Sequence, residues 1–322
     1  MLNALLLVSG LALLTVGGEA LIRGALTAAR RFGVSPLLSG LLIVGFGTSM
    51  PELVVSVDAA LSQRPDIAIG NVVGSNVCNI LLILGLSALI APMTVQPLAL
   101  RRDAVTMVAV TLAFTLLAGA GTLGRLDAVL FLAGLSAYLL WAYRTESVHD
   151  VPAGELHRAE AEELTVLPGS TLFTVAAIAG GLALLVGGSR LLIAGAVGIA
   201  ESLGLSEAVI GLTLVAVGTS LPELTISVIA ALRRHADVAV GNVLGSNIFN
   251  ILGILGVSAL VQPLPVNARI QQFDQWVMLA SALLLIVFLY TGRRLSRPEG
   301  AVLLLGYVAY LGLCFAVPGA SL

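Results

Sequence analysis

The residues able to do chemistry in this apolar chain are concentrated in two short motifs, and each motif occurs twice. Gly47-Thr48-Ser49-Met50-Pro51-Glu52-Leu53 returns as Gly218-Thr219-Ser220-Leu221-Pro222-Glu223-Leu224, an offset of 218 − 47 = 171. Gly70-Asn71-Val72-Val73-Gly74-Ser75-Asn76-Val77-Cys78-Asn79 returns as Gly241-Asn242-Val243-Leu244-Gly245-Ser246-Asn247-Ile248-Phe249-Asn250, again with 241 − 70 = 171. Glu52 and Glu223 lie inside apolar runs. A charge at the bilayer centre costs at least about 2.5–3.5 kcal/mol on insertion scales, so such a residue faces a cavity or a partner. Pro51 and Pro222 have no N–H, which leaves the carbonyls of Gly47 and Gly218 without their usual helical partners. The flanking glycines permit backbone that is not helical. Free carbonyls at mid-membrane are tolerated where they line a cavity. Carboxylate, hydroxyl and carbonyl together make a hard, oxygen-rich donor set of the kind Ca²⁺ takes, with about six to eight oxygens.

Ser49-x-x-Glu52 and Ser220-x-x-Glu223 also read as capping boxes at the start of a half-helix. Glutamine would serve that purpose without a buried charge. In the second motif Ser75 and Asn79 are four apart and share a helix face, as do Ser246 and Asn250. Small and polar residues also serve helix packing in membranes, so the duplication beside the glutamate motif is what favours a site.

The elements that position these motifs follow from composition. The chain has 322 residues, 58% hydrophobic and 11% charged, against roughly a quarter charged in soluble domains. Stretches long enough to cross a bilayer recur throughout. The expected class is an all-α integral membrane protein of about ten transmembrane helices, near 3–28, 37–62, 67–91, 103–120, 126–143, 170–197, 206–231, 238–261, 274–291 and 300–317. The expected organisation is a first five-helix repeat over 1–143, a charged cytoplasmic linker over 144–169 with Glu155, Glu160, Glu162 and Glu163, and a second repeat over 170–322. Five spans separate each motif from its copy, an odd number, so the second repeat enters the membrane inverted. The opening segment lacks a basic start and has a counterpart, since Val16-Gly17-Gly18 reappears as Val186-Gly187-Gly188; it is read as part of the fold rather than a signal peptide.

Every basic residue is arginine. With the N-terminus outside, twelve of the sixteen fall on the inner side (Arg23, Arg30, Arg31, Arg101, Arg102, Arg144, Arg158, Arg233, Arg234, Arg293, Arg294, Arg297) and four on the outer (Arg64, Arg125, Arg190, Arg269). This bias places both termini outside the membrane. No basic patch suggests nucleic acid. Cys78 and Cys314 read as buried thiols. His149, His157 and His235 show no metal-ligand spacing. Asp58 is expected near the outer end of its span, close to Arg64, in a structural role; Asp274 and Trp276 look like boundary residues. Glu19 and Arg190 differ in charge and are not expected to share a transport role.

At these motifs the chain resembles the sodium/calcium exchanger family of the cation/Ca²⁺ antiporter superfamily, in its compact prokaryotic form. The resemblance covers essentially the whole chain. It implies that Glu52 and Glu223 are central carboxylates shared by Ca²⁺ and Na⁺, and that Thr48, Thr219, Gly45 and Ala216 offer backbone carbonyls. Ser49, Ser220, Ser75 and Ser246 would supply hydroxyls to outlying Na⁺ sites, with Asn79 and Asn250 completing the middle. Some family members carry aspartate at the position of Asn250. The resemblance further implies alternating access, three Na⁺ per Ca²⁺, no cofactor and no obligate protein partner, with Ca²⁺ and Na⁺ as substrates and the bilayer as surroundings. The first span and its repeat mate would slide across four core spans. No Gly-x4-Gly-Lys-Ser/Thr loop for ATP occurs. A proton/calcium or other divalent-cation exchanger is the nearest alternative; an intramembrane protease and a passive channel are more distant ones.

Overall fold

The computed structural model describes residues 1–34, 45–94, 100–148, 170–232, 236–292 and 294–316. Most of the expected linker, its glutamates, the three histidines and the first part of the second expected span lie outside the described residues.

The chain is built from helices in two series. The first comprises α1 (Leu2–Arg31), α2 (Met50–Leu61), α3 (Pro65–Ile90), α4 (Val105–Ala118) and α5 (Arg125–Val148). The second comprises α6 (Thr171–Leu203), α7 (Glu207–Thr219), α8 (Leu221–Leu232), α9 (Val238–Val261), α10 (Gln275–Gly292) and α11 (Arg297–Ala316). Seven helices among the described residues are long and apolar enough to cross a membrane, and the bent pair α7–α8 makes up to eight. The expected spans 37–62 and 103–120 are represented by the shorter α2 and α4, of 12 and 14 residues. Helix α5 continues to Val148, past the expected boundary at 143.

Glycine spacing fixes how α1 meets α6. Gly10, Gly17 and Gly24 recur every seven residues, and so do Gly181, Gly188 and Gly195 on α6. A seven-residue repeat keeps one stripe facing a partner. The two stripes face each other antiparallel: a Cβ on Gly17 would lie 2.9 Å from the Gly181 carbonyl, and one on Gly10 2.8 Å from that of Gly188. The backbones therefore touch, as small residues allow in membranes. The stripe also corrects the sequence alignment of this element. Gly17 corresponds to Gly188 at offset 171, one residue away from the match suggested by the shared Val-Gly-Gly.

Helices α3 and α9 are the most buried spans, while α1, α5 and α6 expose most of their surface. Both buried spans contain a wider, π-type turn that begins at the end of the second motif, at Cys78–Leu84 and Asn250–Leu255. Such turns recur at functional positions.

Two sets of cross-series contacts join the ends of helices. Met93–Thr94 pairs antiparallel with Arg294–Leu295, Arg297 donates to the carbonyls of Leu89 and Ile90, and Arg31 Nη1 donates to Thr171 Oγ1 at 2.9 Å. Thr122–Leu123 pairs with Leu264–Pro265, Arg64 forms an ion pair with Glu207, and Asn267 Nδ2 donates to Asp66 Oδ2 at 3.0 Å. Arg64 binds Glu207, and Asp58 Oδ2 accepts from Ser189 Oγ at 2.8 Å. Asp274 is fully buried, held by Arg269 at 3.2 Å and by the Tyr310 hydroxyl at 3.0 Å. Trp276 is exposed.

Candidate cation site

The proline motifs break their helices where the sequence requires. α7 and α8 meet at Ser220 with a bend of 49°. In the first series a short helix, Gly45–Gly47, ends at Thr48, and α2 starts after Ser49. Each break places a serine beside the carboxylate of the opposite series. Ser49 Oγ donates to Glu223 Oε1 at 2.7 Å, and Ser220 Oγ donates to Glu52 Oε1 at 3.0 Å. Ser49 makes no side-chain cap on α2. The capping-box reading therefore fails there, because the hydroxyl is spent on a carboxylate 174 residues away.

Glu52 and Glu223 are completely buried. Each has one oxygen held by serine. The other, Oε2, has no hydrogen-bond partner among the described residues, and neither do Thr48 Oγ1, Asn79 Oδ1 and Asn250 Oδ1. Leaving one buried polar atom unpaired costs about 1–3 kcal/mol, and these five gather on the two duplicated motifs. Two ionised carboxylates balance one divalent cation, and the remaining donors are neutral oxygens of the kind Ca²⁺ and Na⁺ accept.

The other expected site residues fall around this centre with small asymmetries. Ser246 Oγ reaches Glu223 Oε1 at 3.4 Å, whereas Ser75 Oγ donates to the Ala216 carbonyl at 3.4 Å. Thr219 Oγ1 donates to Asn71 Oδ1 at 3.0 Å. The Ala216 carbonyl also accepts from the Ser220 amide at 3.1 Å. Gly45 lies in the short helix before the first break.

Four further polar residues support the glutamates from below. Asn71 Nδ2 donates to the Glu52 carbonyl at 3.2 Å and to Ser56 Oγ at 2.9 Å. Asn242 Nδ2 repeats this with the Glu223 carbonyl at 3.4 Å and Ser227 Oγ at 3.1 Å. Sequence reasoning gave these residues no role. Identity at the 171-residue offset, which Ser56 and Ser227 share, was the signal that could have found them.

A cavity of about 420 Å³ leads to the centre between α1 and α8. Thr15, Glu19 and Ile22 of α1 line one wall, Leu221 and Thr225 of α8 another, and Thr48 and Pro51 the inner end. Glu19 is half-exposed and paired with Arg23 at 2.6 Å.

Comparison with known proteins identifies the family. The family model described as sodium/calcium exchanger protein matches residues 2–144 and 173–316. The putative antiporter CaxA of Alkalimonas amylolytica is 40% identical, over 95% of this chain and 97% of its own length. The sodium/calcium exchanger MaX1 of Methanosarcina acetivorans is 35% identical, over 98% and 99%. The inner membrane protein YrbG of Escherichia coli is 34% identical, over 98% and 97%. Among solved structures, the sodium-calcium exchanger NCX_Mj soaked with Na⁺ and Ca²⁺ superposes with a TM-score of 0.65 at 31% identity, covering 97% of this chain and 98% of that one. This chain is an integral membrane protein that belongs to the sodium/calcium exchanger family, a family of cation/Ca²⁺ antiporters rather than enzymes.

Proposed function

We propose that the chain exchanges Na⁺ for Ca²⁺ by alternating access, with three Na⁺ per Ca²⁺ and one net charge moved per cycle. The observation that carries this reading is the crossed pair Ser49–Glu223 and Ser220–Glu52, which leaves the second oxygen of each buried glutamate without a partner among the described residues. One Ca²⁺ neutralises both glutamates. Several Na⁺ would occupy the same oxygens together with the serine hydroxyls, so the two substrates exclude each other, and exclusion couples their fluxes. Thr48, Thr219, Gly45 and Ala216 would contribute backbone carbonyls, and Ser75 and Ser246 the flanking hydroxyls.

Two inverted repeats, residues 1–143 and 170–322, fit the grouping of cross-series contacts. With the N-terminus outside, the Met93–Leu295 ribbon and Arg31–Thr171 fall on the inner face, and the Leu123–Leu264 ribbon and Arg64–Glu207 on the outer. The cavity between α1 and α8 then opens inward. Likeness to an inner membrane protein supports a prokaryotic inner-membrane location, and the arginine asymmetry supports both termini outside.

Ca²⁺ uptake into proteoliposomes with imposed Na⁺, H⁺ and K⁺ gradients tests the coupling. Uptake that requires internal Na⁺, ignores K⁺ and rises at an inside-positive potential supports the reading. Moving one charge is worth about 2.3 kcal/mol per 100 mV. Uptake that persists without Na⁺ and follows a pH gradient identifies a proton/calcium exchanger instead.

A further inference from the structure

Asn76 and Asn247 stand outside the ligand set proposed above, yet their amides join the two series. Asn247 Nδ2 donates to the Asn76 carbonyl at 3.3 Å and to Met107 Sδ at 3.7 Å. Its Oδ1 accepts from Asn79 Nδ2 at 2.9 Å. Asn76 repeats the pattern: Nδ2 donates to the Asn247 carbonyl at 3.5 Å and to Met278 Sδ at 3.6 Å, and Oδ1 accepts from Asn250 Nδ2 at 3.0 Å. The methionines are themselves 278 − 107 = 171 residues apart. All four amides are buried.

The order of these contacts fixes which way each amide points. A backbone carbonyl and a thioether are acceptors, so the end of Asn247 that meets them must be its NH₂. The opposite end is then oxygen and needs a donor, which Asn79 supplies with its own NH₂. That leaves Asn79 Oδ1 without a donor, and by the same logic Asn250 Oδ1. Asn250 lies one turn beyond Ser246, whose hydroxyl touches Glu223. An unconstrained carboxamide is nearly symmetric in shape and can present N–H to a site as readily as oxygen. N–H repels a cation.

We infer that Asn76 and Asn247 are positioning residues that lock Asn250 and Asn79 with their carbonyl oxygens toward the transported cation. The inference rests on the ion site proposed above. It also gives the Gly-Ser-Asn-x-x-Asn motif a division of labour: the first asparagine orients the second of the opposite series.

The test measures the KM for Ca²⁺ uptake by the full-length protein in Na⁺-loaded proteoliposomes, with thermal melting of each variant as a check on folding. Asn247→Ala frees the Asn79 amide and should raise the KM about tenfold, the scale typical of lost outer-shell partners. Asn79→Asp places oxygen at both ends of the side chain, so orientation no longer matters. In that background Asn247→Ala should change the KM less than about twofold. Asn76→Ala with and without Asn250→Asp supplies an independent second pair should Asn247→Ala fail to insert. An equal rise in KM in both backgrounds overturns the positioning role and leaves a packing role. An Asn79→Ala variant with unchanged KM overturns instead the ligand reading on which the inference rests.

Discussion

Ser189 Oγ donates to Asp58 Oδ2 at 2.8 Å and so ties α6 to α2, while the positions related by the repeat, 189 − 171 = 18 and 58 + 171 = 229, are Gly18 and Ile229 and carry no polar side chain. The two repeat-related places therefore differ: a hydrogen bond joins α6 to α2, whereas the cavity lies between α1 and α8. Hydrogen bonds to charged groups contribute about 1.5–3 kcal/mol, so removing this one should shift the balance between the two facing states about tenfold. Thr225→Cys places a thiol on the cavity wall, and both native cysteines are buried. Ser189→Ala should slow labelling of that thiol by a reagent supplied on the α1–α8 side. An unchanged labelling rate would show that the bond does not bias the balance between the two facing states.

Much of this was legible because duplication is visible without any structure. The 171-residue offset locates both glutamates, both serines and the asparagines, and the proline before each glutamate marks the helix breaks. Other features were not legible, for physical reasons. A serine three residues before a glutamate signals a local cap, and nothing local reveals that Ser49 reaches the carboxylate of the other series. Asp58 has no acidic mate, so the offset was silent about its bond to Ser189. The conspicuous Val-Gly-Gly match misaligned α1 and α6 by one residue, because close backbone approach depends on the seven-residue glycine stripe.

The glycine stripe makes a paired prediction. A Cβ on Gly188 would lie 2.9 Å from the Gly10 carbonyl, whereas one on Gly187 would meet nothing within 4 Å. Gly188→Ala should destabilise the α1–α6 pair by about 1–3 kcal/mol, the usual scale of overpacking. Gly187→Ala should be neutral or stabilising by up to about 1 kcal/mol through helix propensity. Thermal unfolding in detergent, with transport measured on the same preparations, separates the two. Equal effects would contradict the packing described.

Glu19 lines the cavity but is half-exposed and already paired with Arg23. Exposed pairs contribute little, and salt screens their field. Glu19→Gln should retain exchange and raise the KM for Ca²⁺ presented on that side by about two- to threefold at low ionic strength. The effect should fade in high concentrations of a salt that is not transported. Complete loss of exchange would place Glu19 in the site itself.

Acid should inhibit Ca²⁺ transport. Protonating either glutamate removes one of the two charges that balance the ion, so uptake falls as pH falls. Asn250→Asp adds a third titratable carboxylate beside those two, and neighbouring carboxylates titrate as a coupled set. This variant should show a steeper dependence of initial uptake rate on pH than the wild type. Superimposable pH profiles would argue that position 250 lies away from the glutamates.

The central claim is that Glu52 and Glu223 together hold the divalent cation. Removing one carboxylate leaves Ca²⁺ under-neutralised in surroundings of low dielectric. The most direct measurement is initial Ca²⁺ uptake into Na⁺-loaded proteoliposomes by wild type, Glu52→Gln and Glu223→Gln, with melting curves to show that each variant is folded. The account predicts rapid uptake by the wild type and none above background by either variant at unchanged melting temperature. Normal uptake by both glutamine variants would show that the buried carboxylates are structural and that the cation binds elsewhere.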